Sequence, residues 1–175
     1  MRIIAGAYGG RVIQSPHSAA THPMSDKVRG ALFNMLGDIT GLTVLDAFAG
    51  SGAVGLEALS RGAAQVTFID NDRQAHRTII ENIASLGVDE ATKAIQAGLS
   101  SWSERNKAQK FDIIIADPPY DRLQKATLDA LTQHLASSGV LALSWPGKQA
   151  APTFKGVQAV TERSFGDAQL LFYKA

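Results

Sequence analysis

The chain has no cysteine among its 175 residues, which excludes a disulfide framework and any metal site built from thiolates. Its four histidines are scattered at positions 17, 22, 76 and 134, so no metal ion is expected. It also lacks an apolar run of the roughly 20 residues that cross a bilayer. The apolar stretch at its amino terminus is too short for a signal peptide. We therefore expect a cytoplasmic protein without membrane contact.

Net charge of either sign is almost absent as well. The 17 basic and 16 acidic residues leave a formal charge of +1, so composition alone does not indicate a nucleic-acid partner. Within the first thirty residues, however, four basic side chains stand against Asp26 alone: Arg2, Arg11, Lys27 and Arg29. Such a cluster is more often a solvated surface than a phosphate-binding site, so the patch by itself leaves both interpretations open.

Strand-like and helix-like segments alternate after residue 24, which is typical of a parallel sheet covered by helices on both faces. The pattern predicts seven strands, at residues 43–47, 65–70, 92–96, 111–116, 140–144, 157–163 and 169–173. It predicts helices at residues 26–36, 53–60, 72–86, 100–106 and 123–135. The last two strands are joined across Gly166-Asp167 as a hairpin, so one strand of the sheet should run antiparallel.

Residues 1–24 are predicted to form a small extension to this unit. Residues 2–5 and 11–14 flank a Gly9-Gly10 turn, as in a β-hairpin, and residues 21–24 form a loop. The remaining residues, 25–175, are expected to fold as one globular domain.

A glycine-rich turn follows the first core strand. Gly50, Gly52 and Gly55 match the G-x-G-x-x-G spacing of dinucleotide-binding proteins, and Asp70 ends the next strand where a ribose would bind. Asp46 opposes a dinucleotide, because its carboxylate would repel a pyrophosphate beside it. It would attract the sulfonium and ammonium groups of S-adenosylmethionine, which has no phosphate. The sequence favours that cofactor, and an NAD-linked oxidoreductase remains an alternative.

The sequence Asp117-Pro118-Pro119-Tyr120 follows the buried strand at residues 111–116. Both prolines restrict the backbone, so this corner holds its carboxylate, carbonyls and aromatic face in one geometry. Asp117 and the Pro118 carbonyl could accept the two hydrogens of an exocyclic amine while Tyr120 stacks on the base. The alternative is that the prolines simply end a strand.

A longer pattern resembles a known family. Residues 46–61 read Asp-x-Phe-Ala-Gly-Ser-Gly-Ala-x-Gly-Leu-Glu-Ala-Leu-Ser-Arg. Together with the Asp-Pro-Pro-Tyr sequence, they resemble the bacterial small-subunit ribosomal RNA guanine-N2 methyltransferases, the RsmD group. Residues 2–6 and 25–34 are similar to that family's amino-terminal extension, and residues 166–173 to its final hairpin. The resemblance covers nearly the whole chain, whereas Asp-Pro-Pro-Tyr alone also occurs in adenine-N6 and glutamine-N5 methyltransferases.

The resemblance implies a Rossmann-like S-adenosylmethionine-dependent methyltransferase fold. It implies methylation of the exocyclic N2 amine of a guanine in 16S ribosomal RNA, naked or in a small-subunit assembly intermediate, by a monomer. The catalytic residues would be Asp117, Pro118 and Tyr120. The cofactor-binding residues would be Asp46, Phe48, Ala49, Gly50, Gly52, Asp70, Asn71, Gly98 and Leu99, and the RNA-binding residues Arg2, Arg11, Lys27 and Arg29.

The chain departs from the family pattern at three places. The acid expected at the ribose is Asp70 rather than the commoner glutamate, a shorter side chain with the same chemistry. His22-Pro23-Met24 stands where the family usually reads Arg-Pro-Thr. In the sequence Gln96-Ala97-Gly98-Leu99, no acid or amide follows the third core strand, which is predicted to end at Gln96, whereas the family often places one there near the adenine. Adenine would then be recognised by backbone groups around Gly98 and Leu99, or by Gln96 from another angle.

Three alternatives to the guanine methyltransferase remain open at this stage. They are an adenine-N6 methyltransferase, an NAD-linked oxidoreductase, and a ribosome-binding protein that has kept the fold without the chemistry. The carboxylate of Asp46 argues against the oxidoreductase. The presence of both Asp46 and Asp117 argues against a ribosome-binding protein without the chemistry.

Overall fold

The computed structural model describes residues 1–16, 23–122 and 124–175. The strands are β1 (Thr43–Ala47), β2 (Gln65–Asp70), β3 (Thr92–Gln96), β4 (Phe111–Ala116), β5 (Leu135–Pro146), β6 (Gln158–Phe165) and β7 (Ala168–Lys174). The α-helices are α1 (Asp26–Leu36), α2 (Ala53–Ser60), α3 (Arg73–Leu86), α4 (Leu99–Arg105) and α5 (Lys125–Thr132). Short 3-10 helices lie at Asp89–Ala91 and Tyr120–Arg122. Part of the loop predicted at residues 21–24 lies outside the described residues.

All seven strands form one sheet in the order β3-β2-β1-β4-β5-β7-β6. β7 runs antiparallel to both of its neighbours, and the remaining pairs are parallel. The predicted mostly parallel, seven-stranded sheet with one antiparallel strand is therefore confirmed. Within the described chain, no helix is long and apolar enough to cross a membrane.

The register of the central strands determines which residues meet at the carboxyl edge of the sheet. Ala47 of β1 is aligned with Ile69 of β2 on one side and with Ala116 of β4 on the other, and Ala116 is aligned with Leu143 of β5. One residue further along each strand come Asp70, Phe48, Asp117 and Ser144. Asp117 and Ser144 are thus neighbours at this edge, and Phe48 lies between Asp117 and Asp70.

Local sequence explains where the helices begin and end. Ser25 caps α1 by accepting a hydrogen bond from the backbone N–H of Val28 at 3.3 Å, and Gly37 ends the helix with a φ of 75°. In α2 every residue is buried. A Cβ at Gly55 would lie 2.3 Å from the ring of Phe68, so only glycine lets α2 approach the sheet this closely.

The last helix, predicted at residues 123–135, ends earlier than predicted. α5 ends at Thr132, and Leu135 already belongs to β5, aligned with Phe111. The backbone N–H of Phe111 donates to the His134 carbonyl at 2.8 Å, and the His134 imidazole is buried between Ser103 and Gln109. The backbone pairing of Leu135 and the burial of His134 therefore outweigh the local preference of these residues for a helix. The predicted start of this helix, Leu123, lies outside the described residues.

The amino-terminal residues form a short hairpin with a bridge between Arg2 and Val12. Ile3 and Ile13 are 1% and 2% exposed, so the hairpin contributes to the main core. The Glu57 side chain on α2 accepts hydrogen bonds from the backbone N–H groups of Ile4 (2.7 Å) and Ala5 (3.1 Å). The division into an extension and a domain at residues 24 and 25 stays a prediction.

Candidate active site

Three acidic side chains occupy the carboxyl edge of the sheet. Asp46, in β1, is 3% exposed, and burial raises its pKa well above the ordinary value. The negative charges of Asp117 and Asp70 raise that pKa further, while a hydrogen bond of 2.8 Å from the backbone N–H of Gly55 acts in the opposite direction. A cluster of this kind favours a cationic ligand, because a positive charge would relieve the mutual repulsion of the acids.

The turn after β1 presents its backbone to the same edge. Gly50 and Gly52 have φ angles of 56° and 78°, and Phe48 has one of 63°, which is uncommon for a residue with a side chain. The backbone N–H of Ala49 donates to the Ile69 carbonyl at 3.0 Å, which holds the turn against β2. Strained residues of this type occur at ligand-binding sites, where surrounding contacts maintain them.

Asp70 closes β2 and supports this turn. Its two carboxylate oxygens accept hydrogen bonds of 2.8 Å from the backbone N–H groups of Gly50 and Asp72. Each carboxylate oxygen has a second acceptor site, so the side chain could still accept ribose hydroxyls. The next residue, Asn71, is exposed beside it.

β3 ends at Gln96, and the three residues after it offer no acid or amide side chain that could bind a base. Gly98 precedes α4 with no side-chain cap, and Leu99 behind it is buried. The backbone N–H of Ala97 donates to the Asp70 carbonyl at 3.0 Å, so this segment stays joined to β2. Gly98 has an ordinary φ of −71°, and a Cβ there would meet no atom within 4 Å. The absence of the family's acid at this position therefore has no steric cause.

The Asp-Pro-Pro-Tyr corner follows β4, with Pro118 buried and Tyr120 38% exposed. Burial raises the pKa of Asp117 to about 6, and the Ser144 hydroxyl partly opposes that shift. The hydroxyl groups of Tyr120 and Ser144 are hydrogen-bonded at 2.8 Å. Sequence reasoning missed Ser144, although a serine that closes the apolar run of β5 could have been recognised as an edge residue.

Sequence reasoning also missed Asn82, on α3. Its side-chain amide donates to the Ser51 carbonyl in the glycine-rich turn at 2.9 Å and to the Gln14 carbonyl at 3.0 Å. Its carbonyl oxygen accepts from the Gln14 backbone N–H at 2.8 Å. Asn82 thus connects the amino-terminal hairpin to the turn that faces the acidic cluster.

Three of the four basic residues proposed for RNA binding are on the surface. Arg2 donates to the Gly10 carbonyl at 2.6 Å, Arg11 donates to the Ser85 carbonyl at 3.1 Å, and Lys27 is exposed. These side chains retain donors that could face a phosphate.

Arg29 corrects the sequence-based prediction. Its side chain is 1% exposed and donates to the Arg2 carbonyl (2.6 Å) and to Asp26 (2.9 Å). Its Nε lies 3.7 Å from a carboxylate oxygen of the buried Glu57. The guanidinium compensates a buried charge and holds the hairpin, so it is not available to bind RNA.

A groove of about 440 Å³ lies at the opposite edge of the sheet, near the start of β1, β3 and β4. Its charged side chains are Glu90, Lys93 and Lys110, and it contains none of the three clustered acids. In the part of the chain that the structure describes, no three His, Asp or Glu side chains could hold a metal ion. The carboxyl edge is therefore the candidate site.

Comparison with known proteins agrees with this architecture. The family model described as conserved hypothetical protein 95 matches residues 1–174. The Escherichia coli (strain K12) protein "Ribosomal RNA small subunit methyltransferase D" is 40% identical over 133 residues, covering 75% of this chain and 66% of that relative. The chain thus aligns with about two thirds of the length of this relative. The Bacillus subtilis (strain 168) protein "Putative rRNA methyltransferase YlbH" is 32% identical over 184 residues, covering 99% and 98% of the two chains.

A solved structure confirms the predicted fold class. The structure titled "Putative methyltransferase yhhF from Escherichia coli" superimposes with a TM-score of 0.88 at 32% identity, over 99% of this chain and 97% of that one. The chain therefore has the Rossmann-like methyltransferase fold that the sequence predicts.

Proposed function

We propose that this chain, which belongs to the family described as conserved hypothetical protein 95, methylates the exocyclic N2 amine of a guanine in 16S ribosomal RNA with S-adenosylmethionine as the methyl donor. The names of its relatives support a small-subunit RNA substrate. We also propose that it acts as a cytoplasmic monomer on free RNA or on an assembly intermediate.

The observation that carries the proposal is the position of Asp117. Its carboxylate is held at a proline-fixed corner, near Asp46, which also interacts with Asp70, and close to the Ser144 hydroxyl. This arrangement combines an acceptor for an amine with a cluster of negative charge that suits a cationic cofactor. The same cluster would repel the pyrophosphate of NAD, which argues against the oxidoreductase.

The residues at the carboxyl edge fit S-adenosylmethionine. Asp46 would face its cationic amino acid portion, Asp70 and Asn71 its ribose, and the segment at Gly98 and Leu99 its adenine. The turn from Phe48 to Gly52 would pass beneath it. The bound cofactor supplies an electrophilic methyl group on a sulfonium.

The chain's own residues orient the substrate amine. The lone pair of the guanine amine is delocalised into the ring, so a fixed geometry matters more than a strong base. Asp117 and the Pro118 carbonyl accept the two amine hydrogens, and the ring of Tyr120 stacks on the base. The amine nitrogen becomes positively charged as the new bond forms, so the Asp117 carboxylate also stabilises the transition state electrostatically.

The exposed basic residues Arg2, Arg11 and Lys27 would contact phosphates and position the RNA. They lie on the hairpin and on α1, and Asn82 connects the hairpin to the glycine-rich turn. The base must leave its stack to reach the corner, which costs a few kcal/mol. Stacking on Tyr120 would return roughly 1–3 kcal/mol of that cost.

A methylation assay with mass mapping tests the proposal. Purified protein is incubated with labelled S-adenosylmethionine and either 16S ribosomal RNA or isolated small subunits, and the methylated nucleoside is identified. We expect N2-methylguanosine at one position. N6-methyladenosine would favour the adenine methyltransferase, and the absence of methyl transfer to every RNA substrate would contradict the proposal. Calorimetric titration with S-adenosylhomocysteine and with NAD separates the methyltransferase from the oxidoreductase.

A further inference from the structure

The hydroxyl group of Tyr120 is held by a hydrogen bond to a residue of strand β5. Tyr120 lies in the 3-10 helix that follows the proline corner, and its side chain is partly exposed. Its Oη atom is 2.8 Å from Ser144 Oγ, which is 24 residues away in sequence. The contact therefore joins a surface aromatic ring to the sheet.

Ser144 is a rigid anchor for this contact. It is 4% exposed, and its strand, β5, is paired with β4 on one side and with β7 on the other. The residue before it, Leu143, is aligned with Ala116, so Ser144 lies next to Asp117 at the strand ends. An unanchored tyrosine at a partly exposed position would sample several rotamers and lose entropy when a base stacks on it.

We propose that Ser144 is a positioning residue for the substrate base, because its hydroxyl holds the Tyr120 ring in the orientation that receives a flipped guanine beside Asp117. This inference rests on the proposed function and adds a residue to it. Ser144 touches neither the base nor the cofactor in this account. Its hydroxyl is hydrogen-bonded to Tyr120 and also lowers the pKa of the neighbouring Asp117. At a pH well above the Asp117 pKa of about 6, the carboxylate is ionised with or without Ser144, so losing the serine should weaken base capture through Tyr120 and leave the methyl-transfer step itself nearly unchanged.

A double-mutant cycle tests the pairing of the two hydroxyl groups. Ser144→Ala and Tyr120→Phe both break the hydrogen bond between the two hydroxyl groups, and Ser144→Ala also removes the contact with Asp117. At a pH well above the Asp117 pKa of about 6, each variant should raise the KM for RNA roughly three- to tenfold, as expected for one hydrogen bond, with little change in kcat. The double variant should have the KM of Ser144→Ala, because Tyr120→Phe then removes nothing further. Effects that multiply would overturn the inference.

A matched control separates this role from a general loss of stability. Ser103→Ala removes another buried hydroxyl, which is bonded to His134 rather than to the proline corner. It should leave the KM for RNA unchanged. A Ser144→Ala enzyme whose affinity for S-adenosylhomocysteine also falls would indicate a damaged fold and contradict a positioning role.

An NMR measurement keeps the inference testable without catalysis. The chain has three tyrosines, so ring-carbon labelling gives three resolvable signals, and Tyr120→Phe identifies the one of interest. Ser144→Ala should shift and broaden the Tyr120 signal and leave those of Tyr8 and Tyr173 in place. An unchanged Tyr120 signal would overturn the inference. Wild-type protein that methylates no RNA would instead refute the proposed function, and the two failures are thereby distinguished.

Discussion

The side-chain amide of Asn82 donates a hydrogen bond to the carbonyl of Ser51 at 2.9 Å, which ties helix α3 to the glycine-rich turn. The same side chain makes two further bonds to the backbone of Gln14. One buried amide therefore fixes both the amino-terminal hairpin and the turn proposed to bind the cofactor.

Replacing Asn82 with alanine should loosen both attachments. The variant leaves the buried carbonyl of Ser51 without its partner and removes both bonds to the backbone of the exposed Gln14, so the free energy of unfolding should fall by about 1–3 kcal/mol. Affinity for S-adenosylhomocysteine should fall as well, because the turn loses its support. Urea denaturation and calorimetry measure the two effects. Ser85→Ala on the same helix is the control, and equal cofactor affinity in Asn82→Ala and that control would contradict the role assigned to Asn82.

A separate prediction concerns RNA binding by the basic residues of the amino-terminal hairpin. Arg2→Ala combined with Arg11→Ala should weaken RNA binding, because fewer phosphates are neutralised. The slope of log affinity against log salt should become shallower by about one for each phosphate that the variant no longer binds. Cofactor affinity should not change. The control is Arg77→Ala, which removes an exposed arginine paired with Glu81 on α3.

Deleting the hairpin would be a poor version of this experiment. Truncation would expose the core beneath Ile3 and Ile13 and would leave the buried Glu57 without its backbone donors. The carboxylate would keep its ion pairs with Arg29 and Arg61, but losing hydrogen bonds to a buried charged group costs roughly 1–3 kcal/mol. Point substitutions at the surface therefore test RNA contact, whereas truncation tests folding. If the double arginine variant binds RNA with an unchanged salt slope, the hairpin does not bind phosphates.

The raised pKa of Asp117 predicts a change in stability with pH. Burial raises this pKa to about 6 in the folded protein from an ordinary value of 3.8, so folding favours the neutral acid. Between about pH 4 and pH 6 the unfolded chain has lost the proton while the folded one keeps it, and stability falls as pH rises through that range. Above pH 6, Asp117→Asn should therefore be more stable than wild type by roughly 1–2 kcal/mol, allowing for partial exposure. Below about pH 4 the gain should vanish, and a gain independent of pH would contradict the assignment.

Most strands of the sheet could be predicted from the sequence, because their local residue pattern favours the same extended conformation that the pairing with distant strands requires. β1 to β4 have the predicted bounds, since each is an apolar or β-branched run bounded by turn residues. The boundary between α5 and β5 was wrong because Leu135 pairs with a strand more than twenty residues earlier, and no local signal records that pairing.

A site residue could be predicted only where its side chain and its place in the sequence were informative without knowledge of its neighbours in the fold. The position of Asp46, Asp70 and Asp117 at the carboxyl edge could be predicted because acids at strand ends are visible in the sequence, and their roles stay predictions. The roles of Ser144 and Asn82 depend on partners far away in the chain, and hydroxyl and amide groups are common on any surface. Arg29 was misassigned for the same reason, because its burial against Glu57 follows from packing.

The missing acid after β3 can be restored. Gly98→Asp places a carboxylate where the backbone already has an ordinary φ and where a Cβ has open space. If the adenine amine lies there, affinity for S-adenosylhomocysteine should rise roughly two- to tenfold, the range for one added hydrogen bond. Gly98→Ala controls for backbone stiffening, and the deaminated analogue S-inosylhomocysteine controls for the amine. An equal gain for both ligands, or none for either, would show that adenine is bound elsewhere.

Single-turnover kinetics of Asp117→Ala is the sharpest test of whether Asp117 supports transfer of a methyl group to a guanine amine. The measurement follows labelled methyl transfer from S-adenosylmethionine to small-subunit RNA, with the enzyme in excess over RNA and the cofactor saturating. We expect the methyl-transfer rate to fall about 10²–10³-fold below that of the wild-type enzyme, as for loss of a group that stabilises developing charge. Affinity for S-adenosylhomocysteine should stay nearly unchanged. A methyl-transfer rate equal to that of the wild-type enzyme would contradict this role of Asp117.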